Sequence, residues 1–361
     1  MLQRDAGSLP MIPLIDSAAL FGGPSPARES ADAAIQQAAT GIGFLMMTNL
    51  PADVPVGPAA RRRLLRLFDL PETEIRKLWR QNFDPKRPNV YRGWFPLQPG
   101  HATYKEGIDM GRDVAHGRDA ADESDPLLEA TPLPSESVLP GWRGDAATYY
   151  RQFEGVSAML MRSLARGLSL DERVFDDAFV GGVSTLRLIH YPPRASDSFV
   201  GLTDEEGWVT HNDQRRYVTG RPHVDSGFVT LLAQDGVEGL QARASDGAWL
   251  DVPPLENTLA VNFGLTLERW TGRRIKATQH RVIGGGRERY SIPFFYEPRV
   301  DYAIAPLPLP GIEPFAPFLY GDHVWANTTR FVEFQGLAHL RPPRGIQAPA
   351  HTQIISAGGI R

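Results

Sequence analysis

A chain of 361 residues with 42% hydrophobic side chains is long enough to bury a substantial core, and its formal net charge of −4, with both signs dispersed, carries neither a nucleic-acid footprint nor a polybasic membrane anchor. Cysteine is absent, which excludes disulfides, thiolate nucleophiles, iron–sulfur clusters and cysteine-bound zinc, and leaves only nitrogen and oxygen donors for any metal. No window approaches the roughly 18 apolar residues of a membrane span and the first residues lack a secretory apolar stretch, so the expectation is a cytoplasmic protein acting on small molecules.

The first third reads as mixed α/β. A strand is expected over 13–16, a helix over 31–39 and a strand over 43–50; apolar residues then recur at helical spacing over 61–68 and 72–79, with the intervening arginines expected on a solvated face. The segment 84–117, rich in proline, glycine and aromatics, reads as extended loop with short strands and is a candidate pocket wall. Tyr149, Phe153, Val156, Leu160, Leu164 and Leu168 place one apolar stripe on a long helix over 146–168, suited to backing a sheet. Beyond it come short β-rich runs over 183–191, 228–233, 249–252, 258–263 and 290–295, separated by Gly, Pro and Asp. The expected fold is mainly β with flanking helices (α+β), on a double-stranded β-helix, or jelly-roll, core. Residues 1–145 are expected to form a mixed α/β region packing on a helix-plus-β-helix core at 146–340, within one structural unit, with 341–361 as a fraying tail. The polar stretch 194–221 is too long for an ordinary hairpin loop and reads either as a lid or as a surface insertion.

Candidate chemistry sits in the β-rich half. His223 and Asp225 are two apart, so in an extended strand both side chains leave one face, and they lead directly into the apolar run 228–233. His211 and Asp213 repeat the spacing but have no such strand after them. Taken singly, His280 reads as a satisfied core histidine; as part of a set with His223 and Asp225 it completes two imidazoles and one carboxylate. Such donors accept iron, manganese, zinc or copper, and the 2-His-1-carboxylate arrangement with open positions is that expected of an iron(II) oxygenase. Arg289 and Ser291 are again alternate residues, and a guanidinium fork beside a hydroxyl can hold a carboxylate, although a strand-end arginine in a surface ion pair has the same pattern. Tyr91, Arg92, Trp94, Tyr104, Lys105 and Arg187 are candidates to line a pocket for a small acid or an amino-acid-derived compound. Phe294, Phe295 and Tyr296 are expected in the core between sheet and helix.

In order, His190-Tyr191-Pro192-Pro193, His223-Val224-Asp225, Gly239-Leu240-Gln241, Trp270-Thr271-Gly272, Gln279-His280-Arg281-Val282 and Arg289-Tyr290-Ser291 resemble the isopenicillin N synthase-like family, which includes many 2-oxoglutarate-dependent oxygenases. The stretch from Gly43 to Asn49, with Arg92-Gly93-Trp94 and 105–109, extends the resemblance into the N-terminal region. It implies Fe(II) on His223, Asp225 and His280, the distal carboxylate of 2-oxoglutarate on Arg289 and Ser291, and Tyr191 beside the cosubstrate. The implied reaction consumes O2 and releases succinate and CO2 while hydroxylating, desaturating or cyclising a small-molecule substrate. Two positions depart from the pattern: Ile189 stands where plant relatives commonly carry Asn, and Leu265 replaces an Asp after Asn262-Phe263-Gly264. Two other readings stay open at this point. One is a 2-oxoglutarate-independent iron oxidase of the isopenicillin N synthase type, with Arg289 and Ser291 on a substrate carboxylate; the other is a non-catalytic ligand-binding jelly roll.

Overall fold

The computed structural model describes residues 11–118 and 124–346. Its core is a double-stranded β-helix assembled from two sheets. The larger contains β1 (Leu14–Asp16), β2 (Phe44–Thr48), β3 (Gly93–Phe95), β4 (Glu106–Met110), β5 (Thr185–Tyr191), β8 (Val229–Gln234), β11 (Leu259–Phe263) and β13 (Arg289–Tyr296), in the order β1-β2-β11-β8-β13-β5-β4-β3. The smaller contains β6 (Trp208–His211), β7 (Gln214–His223), β9 (Leu240–Arg243), β10 (Trp249–Asp251) and β12 (His280–Gly284), ordered β10-β9-β12-β7-β6. Neighbours are antiparallel apart from β1 and β2. The strands over 1–145 thus share a sheet with those that follow, and one apolar cluster runs from Leu45, Trp94 and Ile108 to Leu231 and Phe294.

β13 shows how the sequence builds the two sides of the large sheet. Successive side chains point to opposite faces. Arg289, Ser291, Pro293 and Phe295 line the cavity between the sheets, whereas Ile292, Phe294 and Tyr296 enter the core on the other side. There Phe294 meets Tyr150 edge-on, with centroids 5.0 Å apart, on the helix Trp142–Gly167. Burying each such aromatic stabilises the layer by about 1.5–3 kcal/mol. The expectation that Phe295 joins its two neighbours in this core does not hold, because pleating sends it to the cavity instead.

The long helix begins at Trp142, four residues before the expected start. Gly141 takes the left-handed conformation (φ 74°) ahead of it, and the fully buried Trp142 donates from Nε1 to the Leu64 carbonyl at 2.7 Å. The first helix, Pro26–Gly41, also exceeds its expected span, because Ser25 accepts the Arg28 N–H and Pro26 sits in the first turn. Of the arginines expected in solvent, Arg62 and Arg63 are exposed, but Arg61 is buried and donates to the Val56 carbonyl.

The second half of the stretch 194–221 is regular strand structure and not a loose insertion. β6 and β7 form a hairpin at the edge of the small sheet, turned by Asn212 (φ 49°) and Asp213 (φ 58°). Two consecutive positive φ angles suit a two-residue hairpin and the side chains that tolerate them. Its first half is pinned by Arg194, which donates to the carbonyls of His101, Ala102 and Val218. Near the C-terminus, buried Arg341 pairs with Asp125 at 2.9 Å and Asp322 at 2.7 Å, and Arg344 joins Asp125, so the start of the expected tail is tied down. Residues 347–361 of that tail lie outside the described residues. Among the described residues no helix is long and apolar enough to cross a membrane.

His190 joins β5 to its neighbours through its ring: Nδ1 meets Glu106 and Nε2 meets Glu288, each at 2.8 Å. Burial alone would push the imidazole down, but the two carboxylates outweigh it and hold its pKa above the ordinary value. A raised folded-state pKa means that this stabilisation is complete below the unfolded value of about 6.5 and is lost as pH rises through the folded value. The melting temperatures of wild type and His190→Gln are therefore expected to differ more at pH 6 than at pH 9; an equal gap at both would refute the ionic role.

Candidate active site

β7 ends at His223 and β12 begins at His280, and antiparallel pairing sets the two residues directly opposite each other, with ring centroids 4.3 Å apart. Asp225 lies past the end of β7, so the pleat does not aim its carboxylate; the turn that follows does. In that turn the Asp225 carbonyl accepts the Leu265 N–H at 2.8 Å and the Ser226 carbonyl accepts the Thr266 hydroxyl at 2.6 Å, which ties it to the short helix Leu265–Trp270. Glycine is required where they touch: a Cβ on Gly264 would lie 2.3 Å from the Gly227 carbonyl oxygen. The carboxylate Oδ1 then stands 3.7 Å from His223 Nε2 and 3.8 Å from His280 Nε2. Among the described residues these three are the one cluster of His, Asp or Glu with donor atoms close enough to share an ion, all within 4.8 Å of one another.

The surroundings prepare each donor. His223 Nδ1 lies 2.7 Å from the Arg221 carbonyl and His280 Nδ1 lies 3.2 Å from the Thr278 carbonyl. Carbonyls only accept, so both Nδ1 atoms carry the proton and both Nε2 lone pairs face the cluster. The Asp225 Oδ2 accepts from Thr230 Oγ1 and Asn262 Nδ2, each at 2.7 Å, which leaves Oδ1 for the centre. Desolvation at the cavity mouth, with His280 next to it, lowers the His223 pKa to about 4 against the opposing pull of Asp225, although the side chain keeps 44% exposure. Burial would raise Asp225, but the two histidines and its two hydrogen bonds hold it at about 2. At neutral pH His223 is neutral and Asp225 ionised, the protonation states that a divalent cation requires. Thr230→Val or Asn262→Ala is expected to lower iron(II) affinity about 10–100-fold; equilibrium metal binding checks it, and unchanged affinity in both variants would contradict it.

The cluster opens into a cavity of about 600 Å³ between the sheets. Arg289, Ser291 and Tyr191 line it together: Arg289 stands opposite Tyr191 in the β13–β5 register and its guanidinium lies 5.0 Å over the tyrosine ring. Arg289 is only 3% exposed. Its Nε and Nη2 reach Val237 and Gln234 at a long 3.4 Å, and its Nη1 is buried with no partner among the described residues. An unpartnered buried cationic donor costs about 1–3 kcal/mol or more, so the site fits an incoming carboxylate. Both requirements of the implied group are thus met by residues present: three convergent donors for the iron and an unsatisfied guanidinium for the far end of 2-oxoglutarate.

Other expected positions divide. Tyr91, Lys105 and Arg187 line the cavity. Arg92 does not; it is buried and donates to Thr185 and to the Val183 carbonyl at 3.0 Å. Trp94 packs on Phe68, and Tyr104 lies under the Arg194 guanidinium. The competing His211 is held by Asp251 at 2.9 Å and by Gln241, and Asp213 is a turn residue. Ile189 adds an apolar patch to the cavity wall, and Leu265 is exposed because only its backbone N–H is used.

Four contributors escape the sequence reading. Thr230 and Asn262 carry a usable signal, since one lies on the strand after His223-Val224-Asp225 and the other opens Asn262-Phe263-Gly264. Asp109 meets Arg187 and Arg80 at the cavity wall; burial would raise it, but the two guanidiniums hold it at about 2. Glu297 lies under the site, where burial pushes its carboxyl up to about 8 and the Tyr320 hydroxyl donates to it.

The sequence profile of the 2OG-Fe(II) oxygenase superfamily matches residues 183–298, and that of the N-terminal region of "non-haem dioxygenase in morphine synthesis" proteins matches 12–135. A 2-oxoglutarate-Fe(II) type oxidoreductase of Aspergillus fumigatus is 30% identical over 305 residues, covering 80% of this chain and 83% of that protein. The isopenicillin N synthase of Streptomyces clavuligerus is 28% identical, covering 82% and 87%. Among solved structures, a full-length Neurospora crassa protein in complex with alpha-KG and 5-formyluracil superposes with a TM-score of 0.72 at 26% identity, covering 92% of this chain and all of that one. The profile across the β-rich half and the relative at 30% identity agree with the geometry, and the chain belongs to the 2OG-Fe(II) oxygenase superfamily.

Proposed function

We propose that His223, Asp225 and His280 hold the iron(II) of this oxygenase, and that Arg289, with Ser291 and Tyr191, holds the distal carboxylate of its 2-oxoglutarate. The observation that carries the reading is the buried, unpartnered Nη1 of Arg289 in the same cavity as the three convergent donors. When bound, iron(II) supplies the redox chemistry, coupling reduction of dioxygen to decarboxylation of 2-oxoglutarate and to two-electron oxidation of the primary substrate. The chain's own residues do the rest. The two Nε2 atoms and Asp225 Oδ1 converge from one side and leave the cavity side open. Thr230 and Asn262 fix the carboxylate's other oxygen, and Leu232, Leu240, Val282 and Phe295 furnish an apolar lining that limits water near the reacting groups.

The primary substrate in this reading is a small acid or an amino-acid-derived compound, sized to share a cavity of about 600 Å³ with the cosubstrate. The common sheet and apolar cluster support treating 1–145 and 146–340 as one structural unit. The test is isotopic: protein loaded with iron(II) and given labelled 2-oxoglutarate in air is expected to release labelled succinate, and His280→Ala and Arg289→Ala are expected to release little. Succinate formation unaffected by either substitution would overturn the assignment.

A further inference from the structure

Further along the large sheet, in the same cavity, lies a second cationic wall that neither the metal nor the cosubstrate uses. Arg187, on β5, directs Nε and Nη2 at the two oxygens of Asp109, the latter at 2.9 Å, and Arg80 joins Asp109 from behind. The Arg187 guanidinium lies 5.4 Å from the Phe95 ring centroid and 5.3 Å from that of Phe295. Asp109 is 4% exposed and Arg80 1%, but the Arg187 side chain keeps 23% exposure and lines the cavity. Its third nitrogen, Nη1, donates to no atom among the described residues. Glu333 biases both guanidiniums from the covering C-terminal segment but forms no ion pair with either.

Charge around the cavity points the same way. Among the described residues six cationic side chains and four carboxyls line it, and one of the four, Glu297, is uncharged at neutral pH through burial. Arg221 is matched by Glu206 at 3.0 Å. Iron(II) and the 2-oxoglutarate dianion cancel each other, so a positive surplus is left over. Arg289 stands opposite Tyr191 and Ser291 opposite Ile189, so Arg187 lies four and two positions further along β5 from these two groups, roughly 13 and 7 Å, and its fork is taken by Asp109.

Resting on the assignment of Arg289 to the cosubstrate, we infer that the primary substrate is a carboxylate whose anionic group is bound by Arg187, with its apolar body against Phe95 and Phe295. Asp109 is the positioning residue. It fixes the fork so that Nη1 points to the substrate without loss of side-chain entropy on binding. Lys105 also lines the cavity, but no partner among the described residues orients its ammonium, and it is the natural control.

The test is equilibrium calorimetry under argon, with protein saturated in iron(II) and 2-oxoglutarate. The probes are benzoate, phenylacetate, 3-phenylpropanoate, indole-3-propanoate and octanoate, each beside its primary amide. At least one acid is expected to bind tenfold or more tighter than its amide. Arg187→Ala is expected to erase that preference, Arg187→Lys, which keeps the pairing with Asp109, to reduce it severalfold, and Lys105→Ala to preserve it. The 2-oxoglutarate affinity, measured in the same cell, is expected to stay at the wild-type value in all three and reports that the variants are folded. If no acid outbinds its amide, or if the preference survives in both Arg187 variants, the inference is wrong. If wild-type protein does not bind 2-oxoglutarate, or binds it equally well as Arg289→Ala, the cosubstrate assignment fails instead.

Discussion

Asp225→Ala is expected to lose iron(II) binding at micromolar metal and to reduce 2-oxoglutarate turnover by about a thousandfold or more. Changes to groups that merely support a ligand cost about 10–100-fold, and loss of the single anionic ligand must exceed that. The two Nε2 atoms that remain carry no charge to offset desolvation of a divalent cation. Removing the carboxylate also strands the Thr230 hydroxyl and the Asn262 amide, both of which donate to it at 2.7 Å. Metal titration with competing chelator measures the first effect and succinate release the second. Retention of tight iron binding by Asp225→Ala would show that the ion sits elsewhere.

Arg289→Ala is expected to weaken 2-oxoglutarate binding roughly a hundredfold, about 3 kcal/mol for the loss of charge-assisted hydrogen bonds in a buried site, while iron(II) affinity is unchanged. Arg289→Lys restores the charge without the fork and is expected to fall between. The same position separates function from stability. Because Nη1 is buried and unpartnered, Arg289→Met is expected to leave the ligand-free protein as stable as wild type or up to about 2 kcal/mol more stable, the signature of a residue kept for its ligand. Denaturant unfolding without 2-oxoglutarate measures this, and a loss of several kcal/mol would make Arg289 a structural residue.

Much of the fold and site is legible in the chain because the decisive signals are local. Apolar runs after His223 and around His280 mark neighbouring strands, and alternation along 289–296 puts Arg289 and Ser291 on one side. Asp225 is found by a spacing argument whose geometry does not apply, since β7 stops at His223 and a turn supplies the approach. What escapes depends on partners far apart in sequence or on weak patterning. Arg187 is legible as a pocket residue, but Asp109 and Arg80, 78 residues from Arg187 and 29 from Asp109 respectively, look like surface charge until β4 and β5 set Asp109 opposite Arg187. The Gln214-Arg215-Arg216 start of β7 is polar because it is an edge hairpin with little to bury, so it resembles a loop. Phe295 sits within an unbroken apolar run, Ile292 to Tyr296, where composition conceals the period of two.

One measurement reaches the central claim, that a single cavity joins the iron triad to a carboxylate-binding arginine. Apo-protein is titrated anaerobically with iron(II) and then 2-oxoglutarate while the visible spectrum is followed for the weak charge-transfer absorption of the chelate. A saturable band is expected in wild type, none in His280→Ala, and in Arg289→Ala a band that needs roughly a hundredfold more 2-oxoglutarate to appear. A band of equal strength and midpoint in wild type and Arg289→Ala, or no band in wild type with iron bound, would contradict that claim.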